Sequence, residues 1–518
     1  RYERTRRMED LEAIIQIWQQ AVDLAPLGSY DRASYLHNLG IALSDRYKRT
    51  KKIDDLEEAI DFWREAASLT QAGSPEFGIY LNSLGVGLRM RYDDTGQEKD
   101  LDDSILALEK SVSLRSPESP LNLAALNNLG TGFRKRYALT HQVDDLEKAI
   151  TLWKQVAQLK DTDSPELPAV LSNLGSGFFD LYSHTKRDDA FYESCRFYER
   201  ACLSANETVG FHDVLFRSGM TWGNLNFDKE VWGEASRAYQ YSMTGVNRLF
   251  QAQLARRAKE SWLEEAQGLL GRLTYSQAKA GDLIGAIESL ESGRARLLGE
   301  ALERARRDLE LLAAPAVGKS ILLERYRAAS ARYNALLQSA AYGTEQPLPP
   351  DERMKAVESA PVELEAVIAE IRQVPSYETF LLAPTVAQIQ AQAQGAPIIY
   401  LITTPAGGLA LVVTENKITA LDLPALSEDA LRARVIGDED QNTYLRAYLA
   451  WRSDPYHDEK REAWKAALEV TASWLWDVLM QPLVAHLEQI AALGSPVVLI
   501  PSDWLSLLPL HAAWMPDA

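Results

Sequence analysis

The chain has 518 residues, 46% of them hydrophobic, and a formal net charge of −18. A single core rarely serves more than about 250–300 residues, so several domains are expected. The acidic balance disfavours nucleic acid or an anionic membrane as the main partner, although it leaves room for a local basic groove.

No apolar run approaches the ~18–20 residues of a membrane span, and no leader-like segment opens the sequence. The two cysteines, Cys195 and Cys202, exclude a disulfide scaffold and fit a reducing compartment, so a cytoplasmic protein is expected. The sequence lacks an initiator Met and opens inside a repeat, which suggests a piece of a longer protein.

The repeat has a 45-residue register. "LHNLG", "LNSLG", "LNNLG" and "LSNLG" end at Gly40, Gly85, Gly130 and Gly175. "RYERT", "RYKRT", "RYDDT", "RYALT" and "LYSHT" follow the same register, as do "DLEAIIQIW", "DLEEAIDFW", "DLDDSILAL" and "DLEKAITLW". Each unit reads as two helices. The first carries an apolar stripe at Leu36, Leu39, Leu43 and Tyr47, and the second carries one at Leu56, Ile60, Trp63, Ala66 and Leu69.

Ser29, Ser74, Ser119 and Ser164 are expected to cap the first helices, with Pro75, Pro120 and Pro165 tolerated in the first turn. Asp54 or Asp55 is expected to cap the second helix. Tyr47 should close the inward face and Thr50 should order the turn by side-chain hydrogen bonds, while the charges between them face solvent. Cys195 and Cys202 fall on packed positions of a second helix and read as small buried hydrophobes. Past about residue 205 the register decays, but "VLFRSGMTWGNL" with "VWGEASRAYQYSM", and then "LLGRLTYSQAKAGDLIGAIESLESGRARLL", look like fifth and sixth pairs.

The L-x2-LG and A-x3-W-x2-A patterns (Ala59, Trp63, Ala66) resemble the tetratricopeptide repeat, whose usual unit is about 34 residues, some 11 shorter than here. The resemblance implies an α-solenoid over residues 1–300 with a groove that holds a protein or peptide partner. The residue two before each second leucine is His37, Asn82, Asn127 or Ser172, and the residue five after it is Ser44, Arg89, Arg134 or Phe179. By that resemblance Asn82, Arg89, Asn127 and Arg134 would grip a carboxylate or the backbone of an extended peptide. A merely solvated helix face would present the same residues.

Residues 301–375 read as a helical linker region. Within it "APAVGKSILL" only approaches the phosphate loop, because the required first glycine is Ala313 and a helical segment precedes it. From 376 the class changes. "PIIYLITT", "LALVVTE", "KITALDL" and Val497 to Ile500 read as strands, with Pro405 to Gly408 as a turn and a Trp-rich helical stretch between the last two strands.

The run "APTVAQIQAQAQGAPIIYLITTPAGGLALVVTENKITALDLPAL", then "WLWDVLMQPLVAHL" and "VVLIPSDWLSLLPLHAA", resembles the front part of a CHAT domain, a caspase-like and separase-related fold. "ESLESGRARLLGEAL" resembles the segment joining repeats to it. The fold expected is therefore mainly α: a tetratricopeptide-like solenoid followed by the front part of a caspase-like α/β domain over 376–518. The resemblance implies a cysteine protease in which a His and a Cys act as base and nucleophile on a protein substrate, in bacterial defence or programmed death. The "His-Gly" and "S-A-Cys" segments that carry those groups are missing, and no cysteine follows Cys202.

His511 precedes the family's histidine, and Ser502, Asp503 and Ser506 lack the elbow a serine triad needs. No cofactor motif is found, and the seven histidines form no ligand-spaced cluster for zinc. Two readings stay open: a regulated CHAT-type protease represented by its sensing solenoid and non-catalytic front part, or a non-enzymatic scaffold that uses the repeat groove.

Overall fold

A computed structural model describes residues 8–114, 119–159, 166–208, 211–252, 268–297, 319–329, 366–375, 384–437, 443–490 and 496–510, with 312, 332, 363, 377 and 513. The chain forms two compact units, one ending at Trp222 and the other starting at Gly223.

In the first unit, helices alternate in the expected register. They are α1 (Met8–Leu24), α2 (Tyr30–Thr50), α3 (Ile53–Ser68), α4 (Pro75–Thr95), α5 (Glu98–Ser113), α6 (Pro120–Thr140), α7 (Val143–Leu159), α8 (Leu167–Thr185) and α9 (Asp188–Glu207), followed by the start of α10 (His212–Asp228). The inward stripes are buried, with Leu36, Leu39, Leu43 and Tyr47 packed against Leu56, Ile60, Trp63 and Ala66. Ser29 and Ser74 accept from Arg32 N and Phe77 N, which satisfies one orphan amide of each first turn. Ser119 occupies the cap position without a side-chain bond, and Ser164 lies outside the described residues. "RYERT" lies outside them too.

Thr50 orders the interhelical turn by donating to Arg46 O (3.0 Å) and accepting from Lys52 N (3.3 Å). Thr95, Thr140 and Thr185 repeat the pattern. The capping expectation for Asp54 or Asp55 fails, because α3 starts at Ile53 and its cap position is Lys52. The turn is only two residues long, so Asp55 falls inside the first helical turn and is buried there. Arg46 Nε and Nη2 donate to its two oxygens at 2.9 and 2.7 Å. Arg91 clasps Asp100 (2.7 and 2.6 Å) and Arg136 clasps Asp145 (2.7 and 2.8 Å) in the same fork geometry. The arginine that opens "RYKRT", "RYDDT" and "RYALT" thus ties the first helix to the second.

The glycine of each "LG" pair marks a close helix approach. A Cβ on Gly40 would stand 2.6 Å from Trp63 Nε1, and one on Gly130 would stand 2.6 Å from Trp153 Nε1. Gly130→Ala is expected to lower stability by about 1–3 kcal/mol through overpacking, read as a shifted urea midpoint at unchanged slope. Cys202 is buried in α9, with Sγ 3.9 Å from Leu215 O, and burial pushes its thiol pKa up; Cys195 is half-buried.

The second unit holds the end of α10, α11 (Trp232–Ala252), α12 (Leu269–Lys279) and α13 (Leu283–Leu297). It also holds α14 (Val386–Gln392) and a sheet of β1 (Ile398–Thr404), β2 (Gly407–Val413), β3 (Ile418–Leu423) and β4 (Val498–Pro501) in the order β3-β2-β1-β4. Strands β1, β2 and β3 are antiparallel neighbours, and β4 runs parallel to β1 with Ile398 opposite Val498. All four expected strands are present. The first turn is tighter than Pro405 to Gly408: Gly407 and Gly408 already pair with Thr404 and Thr403, leaving a two-residue loop.

One face of the sheet, with Ile399, Leu401, Ala410 and Val412, packs on α15 (Glu428–Val435), α17 (Asp458–Leu475) and α18 (Gln481–Gln489). Helix α16 (Tyr444–Ser453) adds to this layer. On the other face, α12 packs so closely that a Cβ on Gly271 would sit 3.3 Å from Thr403 O, and Lys279 pairs with Asp422 of β3 at 2.9 Å. The pair α12–α13, expected to close the solenoid, therefore packs on the sheet. The Trp-rich stretch runs helically from α17 into α18 through a π-turn, Trp476–Met480, where Gln481 N reaches back to Trp476 O. Pro482 lacks the N–H that a regular α ladder would use next, which accounts for the break in register there. Of the linker region, residues 320–329 and 366–371 are helical, and Leu323 and Tyr326 pack with Val367, Ile368 and Ile371. Gly318 of the phosphate-loop near-miss lies outside the described residues.

Candidate functional site

The first helices α2, α4, α6, α8 and α10 carry a polar ladder. His37 Nε2 bonds Ser83 Oγ (3.0 Å), Asn128 Nδ2 donates to Asn82 Oδ1 (3.0 Å), Asn173 Nδ2 donates to Asn127 Oδ1 (2.9 Å), and Ser218 Oγ donates to Ser172 Oγ (3.0 Å). Each rung joins residues 46 apart, one more than the repeat. The geometry makes the candidate positions at 37, 82, 127 and 172 one side of the ladder; the other side, Ser83, Asn128, Asn173 and Ser218, is not evident from a 45-residue alignment.

These bonds consume the side-chain oxygens of Asn82 and Asn127. Among the described residues their Nδ2 groups have no protein partner, so each keeps a donor for something else. Two turns further along α4, Arg89 Nε is shielded from solvent and has no hydrogen-bond partner among the described residues. Burial lowers the Arg89 pKa, opposed by Asp93. Arg134 is already engaged: its Nε donates to Asp180 at 2.6 Å, another 46-residue pair. Lys135 pairs with Asp93 (2.6 Å), and Tyr47 donates to Asp94. Of the four candidates, then, Asn82 and Asn127 offer unspent N–H groups on successive first helices, Arg89 Nε is unpaired but shielded, and Arg134 is held in an ion pair.

The His37 ring lies tilted against Tyr80 (centroids 4.8 Å apart), and burial lowers its pKa to about 4. The folded protein thus holds His37 neutral, while the unfolded chain takes up a proton below about 6.5. Stability from this site is complete above that pH and declines as pH falls toward 4. His37→Gln is expected to flatten that decline, measured as the difference between pH 7 and pH 4.5 in urea unfolding.

In the second unit, Ser506 donates its hydroxyl to Asp503 O (2.6 Å) inside a 3-10 turn, and His511 lies outside the described residues. Both thiols are on α9. Among the described residues no three metal-ligating side chains cluster, and no helix is long and apolar enough to cross a membrane.

A family model described as a tetratricopeptide repeat matches residues 32–75, which hold α3 and all but the first two residues of α2. No curated protein matches the chain. Among solved structures, BtubC (BKLC) from P. vanneervenii is similar at 19% identity over 46% of this chain and 89% of its own, with a TM-score of 0.33. A Podosopora anserina putative kinesin light chain with nearly identical TPR-like repeats is similar at 15% identity over 39% and 88%, with a TM-score of 0.28. The human IFIT1 dimer with PPP-AAAA is similar at 13% identity over 57% and 69%, with a TM-score of 0.28. The tetratricopeptide-repeat match spans residues 32–75, and helix pairs in the same 45-residue register run through α9.

Proposed function

We propose that the chain is a protein-interaction scaffold whose first helices hold an extended peptide segment of a partner protein. The observation that carries this reading is the pair of unspent donors at Asn82 Nδ2 and Asn127 Nδ2, one repeat apart, with the unpaired but shielded Arg89 Nε beneath them. A row of N–H groups without acceptors suits backbone carbonyls or carboxylates, and stacked helical repeats present such a row to a chain lying across them. Arg134, fixed by Asp180, would set the edge of this surface.

Peptide cleavage, which the CHAT resemblance implies, finds no support. The family model that matches is a tetratricopeptide repeat, and it ends at residue 75.

A phage library of random linear peptides, selected on the purified chain, tests the scaffold reading. An enriched peptide is expected to bind about tenfold more weakly to Asn82→Leu/Asn127→Leu, the loss of one or two hydrogen bonds. Unchanged affinity in that variant, or enrichment of no peptide, removes this surface as the binding site.

A further inference from the structure

We propose that a cleft between α15, α16 and α17, on the sheet-bearing unit, binds a small aromatic carboxylate, with Arg434 holding the carboxylate. The cleft has a volume of about 510 Å³, within the range of small-molecule sites. Its open space has a sequence cause: Ala430 and Ala433 on α15 and Ala466 and Ala467 on α17 line it, where longer side chains would narrow the gap. Val470 and Trp474 continue the apolar wall, and Tyr444 of α16 completes it.

Polar groups are few here, and most are spent. Thr443 donates to Ile436 O and Thr471 to Ala467 O, each at 2.7 Å. Arg434 differs: its guanidinium lies over the Trp474 ring at 5.5 Å and pairs with no carboxylate among the described residues. Cations nearby on α17 behave otherwise, since Arg461 pairs with Asp458 and Lys465 with Glu462. In a chain of net charge −18, an arginine with no acidic partner among the described residues, beside an apolar cleft, is a charge complement to an anion. A guanidinium braced on an indole presents its fork in a fixed plane, which suits two parallel hydrogen bonds to a carboxylate. A flat aromatic body then fits the alanine-lined space beside Trp474.

Isothermal titration of the full chain with naphthalene-2-carboxylate tests the assignment, with naphthalene-2-carboxamide as the uncharged twin. Saturable binding is expected, about 10- to 100-fold weaker for the carboxamide and for Arg434→Met, as befits loss of a charged bidentate contact. Ala466→Phe, at an exposed wall position, is expected to abolish binding by filling the cleft while leaving circular dichroism unchanged. Equal affinity for carboxylate and carboxamide, an unaffected Arg434→Met, or no saturable heat overturns the proposal. A tetrapeptide with a free C-terminal Phe that binds more tightly than naphthalene-2-carboxylate overturns the free-acid assignment in favour of a chain terminus.

Discussion

Trp63→Ala is expected to cost about 3–5 kcal/mol, the range for deleting a fully buried aromatic. The side chain is 3% exposed and holds two repeats together at once. Its indole edge stands where a Cβ on Gly40 of its own unit would be 2.6 Å away, and its far edge stands 2.6 Å from where a Cβ on Gly87 of the next unit would be. Glycines on both sides mean that neither helix can move inward to refill the space without backbone displacement, so the cavity persists rather than collapsing. The indole N–H also donates to His37 O (3.2 Å), a bond that alanine cannot replace. Urea unfolding should show the loss as a lower midpoint, and His37 should exchange its ring environment with solvent more readily. A loss under about 1 kcal/mol would mean that the interlocking of Gly40, Trp63 and Gly87 does not carry the repeat interface.

The same residues show how far the sequence could be read. A 45-residue recurrence of leucine, glycine and tyrosine, together with 3.6-residue apolar spacing, is enough to place paired helices, because burial of one stripe per helix dominates their energetics. The four strands were legible for a similar reason: short β-branched and apolar runs bounded by turn residues have few other uses in a folded chain. Side-chain pairing was less accessible. Asp55 looked like a cap because acidic residues favour helix starts, yet a turn of two residues moves the helix start ahead of it and turns it toward Arg46. Arg46 recurs in register as Arg91 and Arg136, but the period does not say which carboxylate each one meets.

The candidate site divides in the same way. Asn82, Arg89, Asn127 and Arg134 were found because they repeat at fixed offsets from Leu84 and Leu129. Their partners Asn128, Asn173 and Asp180 sit one residue off the register, so aligning the repeats separates each pair into different columns. Neighbouring helices in a stack are displaced as well as repeated, and a period alone does not encode that displacement. In the α/β part the strands were placed correctly, while the cleft at Arg434 depends on three helices meeting around alanines, which no local pattern announces.

Arg136→Ala is expected to destabilise the first unit by about 3–5 kcal/mol at pH 7, and more than Asp145→Ala does. The two ends of this clasp are not equivalent. Asp145 is 4% exposed, whereas Arg136 is 29% exposed and also lies 3.5 Å from Asp102. Removing the aspartate leaves a guanidinium that can turn to Asp102 and to water, so about 1–3 kcal/mol is expected. Among the described residues, removing the arginine strands a buried carboxylate with only Lys148 at 3.8 Å, and it also removes one of the two cations over the Phe133 ring (5.3 Å), leaving Lys148 at 5.4 Å. The hydrogen bond from Arg136 holds the Asp145 carboxyl below its usual range of about 3.8. In the native protein that stabilisation is therefore complete above about pH 4 and lost as pH falls through the lowered folded pKa. In Arg136→Ala the stranded carboxylate should instead take up a proton on folding, so the gap between variant and native protein narrows as the solution is acidified from pH 7 to 4. A double-mutant cycle on Arg136 and Asp145 read by urea unfolding at both pH values separates this from the lost aromatic contact, because the double variant keeps the Phe133 loss but has no orphaned charge. Equal costs for the two single variants, or a gap that widens toward acid, would place the energy of the repeat somewhere other than this clasp.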